Sequence, residues 1–154
     1  MKKILIDLDV VTVAFWKGNK KDLAIKFLDR VKNEEFIIIT PFSLINLILE
    51  WYDKSLANKI KDFYFKYSDH ILSNIEILKL INRKSANEEK IIYELEGLGI
   101  KKEDSVLVFV ASLFNVDYLV TFNRKHLKNN KNKINEVLKK NGLKKIEIVE
   151  PNEI

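Results

Sequence analysis

The chain has 154 residues, 47% apolar and 32% charged, without a single cysteine, which excludes a disordered polymer, a disulfide scaffold and any thiolate metal site. The length suits one domain over residues 1–154, and no run approaches the roughly 18 apolar residues that cross a bilayer. A net charge of +5 and a pI near 9.2 suit a polyanionic partner such as nucleic acid, and equally a solvated lysine-rich surface.

The opening residues imitate a signal peptide only briefly, because Asp7 and Asp9 interrupt the apolar run and no small-residue cleavage site follows. Ile4–Ile6 is therefore expected to be the first strand of a cytoplasmic protein. Lys20 to Asn33 has helical spacing, with Leu23, Phe27 and Val31 on one face beside Ala24 and Leu28. Phe36–Ile39 is a second buried strand. Thr40 as N-cap and Pro41 as first helical residue are expected to open a helix running from Phe42 to about Asp53, apolar nearly all round and so buried on most faces. Ser55 to Tyr67 is amphipathic, and Ile75–Ile81 reads as a short strand or a helix edge.

Asn87 to Leu98 is a helix stopped by Gly97 and Gly99. Glu103 or Asp104 opens an almost wholly apolar helix, and Asp117 to Thr121 is the third strand, with Asn123 just beyond it. Lys128–Lys133 is a polar loop, Lys131–Asn141 a lysine-rich helix closed by Gly142, and Lys145–Val149 the last strand before Pro151. Alternation of this kind predicts an α/β fold: a three-layer α/β/α sandwich around a mainly parallel sheet.

Parallel sheets gather ligands along the edge formed by their strand carboxyl ends. Asp7 lies at such an end and Asp104 at the amino end of a buried helix. Grouped carboxylates are the hard oxygen donors that Mg²⁺ or Mn²⁺ takes. The competing reading is capping, since an aspartate before a helix satisfies free N–H groups. It fits Asp104 as well as metal binding does, and Asp7 less well, because Asp7 and Asp9 offer two candidates for one cap. Alternation along a strand would turn Asp9 to the face opposite Asp7.

The segments ILIDLDVV, TPFSLINLI, EDSVLVFVASLF and VDYLVTFNRKHL, in this order and spacing, resemble the PIN-domain ribonucleases, a group that includes the toxins of VapC-type toxin–antitoxin pairs. The resemblance covers almost the whole chain. It implies a parallel sheet between helices and RNA hydrolysis dependent on Mg²⁺ or Mn²⁺. It further implies RNA and an antitoxin as partners, and a homodimer. On it, Asp7 matches the family's first aspartate and Asp104 the helix-leading one. Asn46 stands where the family has glutamate, with Glu50 one turn later as a candidate replacement. Asn123 stands where many members have aspartate, and Asp117 matches an acidic position that is usually structural. The expected catalytic set is Asp7, Asp104, Asn46 and Asn123. Asp7 and Asp104 would be the metal ligands, Asp9 and Glu50 the further candidate acids, and Arg124 and Lys125 the candidate phosphate contacts.

Two unit charges about 4 Å apart repel by about 4 kcal/mol at an effective dielectric near 20, so a full acid quartet needs cations. With amides at two of four places, the expectation is one weakly bound ion and slow hydrolysis. Two other readings stay open: a PIN-like module that has lost turnover and binds RNA or protein, and a plain oligomerisation module whose acids are caps. His70 and His126 lack metal-ligand spacing to each other, and Ser43 and Thr121 lack a His/Asp partner. The four glycines form no phosphate loop. Phe15, Trp16, Trp51 and Tyr52 read as core or interface aromatics ahead of base-stacking ones.

Overall fold

Five strands, β1 (Lys3–Ile6), β2 (Ile37–Pro41), β3 (His70–Leu72), β4 (Tyr118–Val120) and β5 (Glu147–Val149), form a sheet of order β3-β2-β1-β4-β5, every pairing parallel. This computed structural model describes residues 1–51 and 53–154; the expected aromatic role of Tyr52 lies outside them. Among the described residues eight α-helices flank the sheet: α1 (Leu8–Phe15), α2 (Lys21–Lys32), α3 (Phe42–Leu49), α4 (Lys54–Tyr67), α5 (Asn74–Lys84), α6 (Glu88–Glu96), α7 (Lys102–Leu113) and α8 (Lys131–Lys140). The α/β sandwich expected from the alternation is the fold found.

Right-handed crossovers send the β1–β2 and β2–β3 connections to one face and the later ones to the other. Accordingly α1 packs on α2 and α4, and α3 on α4, while α7 packs on α5 and α6, and α6 on α8. Ile4, Leu5 and Ile6 are fully buried between these layers. The chain leaves β1 toward β2 on one side and later returns to β4 on the other. The carboxyl ends of β1 and β4 therefore border the crevice where such sheets bind ligands.

The sequence reading needs five corrections. Asp7 follows the end of β1 as expected, but it also caps α1, an unexpected helix that takes in Leu8 and Asp9 and buries Val10, Val11 and Ala14 at helical spacing. Thr40 is not an N-cap, since its hydroxyl pairs with that of Ser68 at 2.6 Å; Pro41, still in β2, precedes α3. That helix ends at Leu49 rather than near Asp53, whose carboxylate instead accepts from Leu56 N–H to start α4. Nor is α3 buried on most faces, for Phe42, Leu47 and Leu49 are exposed, as is Leu23 on α2. Finally, residues 75–81 lie inside α5, opened by a capping box between Ser73 and Glu76, and the strand there is His70–Leu72.

Helix ends elsewhere follow the expected chemistry. Asn141 closes α8, Gly142 takes φ 75°, and the Leu143 N–H reaches back to the Leu138 carbonyl at 2.9 Å, a left-handed stop that glycine enters without strain.

Candidate metal centre

Asp7 reaches the crevice because β1 ends there, and its side chain is held from two directions. The Leu8 N–H donates to Oδ1 at 2.7 Å and the Thr121 hydroxyl to Oδ2 at 2.8 Å. Asp9 follows in the first turn of α1, so helix geometry returns it to the side of Asp7, and the alternation expected of a strand does not apply. Its carboxylate accepts from Phe122 N–H at 3.2 Å, and Thr121 Oγ1 lies 3.4 Å away. Asp104 sits in the first turn of α7. Its carboxylate accepts from the Asn123 side-chain amide at 3.3 Å, and no side-chain cap bond is made to the α7 backbone.

Asp7, Asp9, Asp104 and Asn123, with Thr12 and Trp51, line one open cleft of about 390 Å³. Asn123 is oriented at both ends: its Nδ2 donates to Asp104 and its Oδ1 accepts from His126 N–H at 3.0 Å. As placed, it steadies Asp104 and turns its carbonyl oxygen away from it. Asn46 and Glu50 are exposed on and just after α3 and are not among the residues lining the cleft. Trp51, by contrast, forms part of its wall. Of the other aromatics, Phe15 packs edge-on against Phe63 and Trp16 is exposed.

The electrostatics are those of acids short of a cation. Burial first, and then the charge of Asp9, raises the Asp7 carboxyl to about 7, against the opposing hydrogen bond from Thr121. Burial likewise raises Asp9 to about 6, opposed by the N–H groups of Phe122 and Val10. Asp104 is raised as well, by burial and by Glu103, with Lys101 and His126 pulling the other way. Among the described residues none of the three forms a salt bridge.

The donor chemistry fits a hard divalent ion: carboxylate oxygens from two distant segments face one cleft, and among the described residues no cation pairs directly with them. The spacing is not that of a formed cage, since among the described residues no three His, Cys, Asp or Glu side chains are gathered to hold a metal.

Sequence reasoning missed two supports and one neighbour. Thr121, weighed only as a nucleophile, is a fully buried link between Asp7 and the loop after β4, its oxygen also accepting from Asn123 N–H at 3.0 Å. Tyr64 of α4, fully buried, donates to the Ile6 carbonyl at 2.8 Å, one residue before Asp7. Its spacing within an amphipathic helix gave only a core position. The neighbour is Glu150, after β5, which is 3% exposed and accepts from Arg124 at 2.7 and 2.8 Å, with Lys20 at 3.0 Å and Lys128 at 3.5 Å. Arg124 is thereby engaged by a carboxylate, whereas Lys125 is exposed and has no ion-pair partner among the described residues. Asp117 is structural, accepting from Lys3 N–H at 2.9 Å and pairing with Lys144 at 3.3 Å.

No family model and no curated protein matches this sequence. Among solved structures the chain is similar to VapBC2 from Rickettsia felis, crystallised bound to a DNA fragment from their promoter. The TM-score is 0.58 at 16% identity, over 96% of this chain and 98% of that one. At that identity the likeness establishes the fold. No described helix is long and apolar enough to cross a membrane.

Proposed function

We propose that the chain is a divalent-metal-dependent endoribonuclease of the PIN-domain kind with a reduced acidic site, acting as one domain. The observation that carries this reading is the convergence of Asp7, Asp9 and Asp104 on one cleft, with the Asp7 carboxyl raised by burial and the charges of Asp9 and Asp104, and that of Asp9 by burial and the charge of Asp104. Such a group is stabilised by a cation, and its oxygens suit Mg²⁺ or Mn²⁺. Asp7 and Asp104 would hold one weakly bound ion, with Asp9 as the further acid.

A divalent ion in such a site supplies positive charge to the scissile phosphate and favours ionisation of water at neutral pH. The chain's own part is positioning. Thr121 and the Leu8 N–H fix both oxygens of Asp7, and Asn123 fixes Asp104. Trp51 offers an aromatic wall on which a base can stack. Likeness to VapBC2 supports a toxin-like role with an antitoxin as partner, and the exposed Phe42, Leu47 and Leu49 on α3 offer apolar area for it or for a second copy of the chain.

Purified protein incubated with RNA and Mn²⁺ tests the proposal. Cleavage should fall at least about a hundredfold in Asp7→Asn and Asp104→Asn, as expected when a metal ligand's charge is removed. Cleavage surviving both substitutions would sink it. A second reading is an RNA- or protein-binding module without turnover, in keeping with no three acids being gathered into a cage among the described residues. RNA retention without product, indifferent to EDTA, would select it.

A further inference from the structure

Charge along the chain is sharply segregated. Residues 124–145 contain nine lysines and arginines and a single acid, Glu136, whereas the other 132 residues carry 18 basic and 21 acidic side chains. The net positive charge therefore belongs wholly to one stretch of 22 residues, and a merely solvated lysine-rich surface would have no reason to concentrate it there.

Ion pairing within the fold accounts for only part of it. Arg124 and Lys128 pair with Glu150, Lys140 with Glu94 and Lys144 with Asp117. Lys125, Lys131, Lys133 and Lys139 are exposed and have no ion-pair partner among the described residues. Two of them are also misplaced for helix stability. Lys131 and Lys133 occupy the first turn of α8, where the macrodipole disfavours cations and where α8 has no acid to offset them. Folding gives no reason for these charges to be here.

Their position relative to the cleft does. Asn123 lines the cleft, and its backbone carbonyl accepts from both Leu127 and Lys128 N–H groups, folding the chain tightly back. Lys125 is thus held beside the cleft, and α8 begins three residues after Lys128. From there α8 turns only Ile134 and Leu138 fully inward and extends its lysines along about 15 Å of helix. Across the same end of the molecule, Leu98 and Lys133 line a shared groove, and Lys101 is near enough to Asp104 to act on its charge.

We propose that residues 124–145 are the binding surface for the phosphate backbone of a single-stranded RNA, which enters the acidic cleft past Lys125 and lies over the exposed face of α8, with Lys131 and Lys139 on one flank and Lys133 on the other. The inference rests on the nuclease reading for the identity of the strand, and adds where the strand runs. It also gives the cleft what its acids lack: a polyanion would be repelled by Asp7, Asp9 and Asp104 unless held by cations beside them.

The test is binding in EDTA, so that it does not depend on turnover. Fluorescence anisotropy of a labelled single-stranded RNA is measured with wild type, with K125Q/K131Q/K133Q/K139Q, and with K26Q/K32Q/K59Q/K79Q. The last removes the same charge from exposed sites on α2, α4 and α5. The α8 variant should bind at least about tenfold more weakly at low salt, with the log-affinity against log-salt slope shallower by about 2 to 3, while the control stays within about twofold of wild type. Equal losses in both variants would reduce the band to a net-charge effect and overturn the proposal. So would wild type that fails to bind RNA in EDTA, or that partitions onto phosphatidylserine vesicles in preference to RNA. Cleavage with Mn²⁺ alongside any of these outcomes would leave the nuclease reading standing. RNA retained by the band without cleavage would do the reverse.

Discussion

Two buried carboxylate sites sit at neighbouring strand ends of one sheet, and they have opposite fates. Glu150, after β5, collects Arg124, Lys20 and Lys128 and is held down to about 2, chiefly by the Arg124 hydrogen bonds against the penalty of burial. Asp7, just after β1, is pushed up to about 7, first by burial and then by the charge of Asp9 beside it. Both residues are little exposed, at 3% and 9%, but the burial penalty that dominates at Asp7 is outweighed at Glu150 by its cationic partners. One site has its cations built in. The other has no ion-pair partner among the described residues, which is what the proposed metal site requires.

The largest effect expected from breaking this contrast on stability is at Glu150. Glu150→Ala removes charged hydrogen bonds that join the α1–α2 connection, the loop after β4 and the end of β5. The loss should be about 2 kcal/mol, or about 4–8 °C in Tm at neutral pH. The pH dependence has a definite sign. A carboxyl lowered from 4.5 to about 2 on folding contributes stability that is complete above the unfolded value and disappears as pH falls through about 2. Thermal scans between pH 6 and about pH 2 should show the variant and wild type converging at the acid end. A constant gap would mean the ion pairs contribute nothing.

Asp7 gives the inverse. Its carboxyl is raised on folding from 3.8 to about 7, so its penalty is absent in strong acid and grows as pH rises between those values. In EDTA, Asp7→Asn should therefore raise Tm by a few degrees at pH 8 and by nothing near pH 3, because the amide carries no charge, its oxygen still accepts from Leu8 N–H, and its NH2 can donate to the Thr121 hydroxyl with that bond reversed. Mn²⁺ at about ten times its Kd should add about 1.4 kcal/mol to wild type and nothing to this variant. Destabilisation by Asp7→Asn at pH 8 would show that the two sites are alike after all.

How much of this was legible beforehand follows from the range of the interactions. Strands β1, β2, β4 and β5 stand out as short apolar runs, and Gly142 marks a helix end by its own backbone freedom. Asp7 and Asp104 were identifiable because each lies where an element begins or ends. The start of α1 was not, since Val10, Val11, Thr12 and Val13 are β-branched and favour strand by propensity, and burial of one face overrides that only in the folded molecule. Residues 75–81 read as strand or helix edge from their apolar run alone, and the Ser73–Glu76 capping box is the local signal that decides for helix. Glu150's partners lie 130, 26 and 22 residues away, and no local pattern announces such a cluster.

The smallest effect sharpens the comparison at the atom that carries β1 into the site. Tyr64 crosses from α4 to donate its hydroxyl to the Ile6 carbonyl, and burial together with the charges of Asp7 and Asp9 raises its own pKa further, so it stays a donor. Tyr64→Phe keeps the ring's packing and deletes one buried hydrogen bond, which should cost about 1 kcal/mol and about 2–4 °C in Tm. If the bond also fixes the strand end from which Asp7 projects, amide exchange at Asp7 and Leu8 should quicken more than the global loss accounts for, and cleavage should fall several-fold with RNA affinity unchanged. A drop in Tm without faster exchange at those two amides would make Tyr64 a core residue only. The orientation of Asp7 would then rest on Thr121 and the Leu8 N–H, the two donors that touch its carboxylate directly.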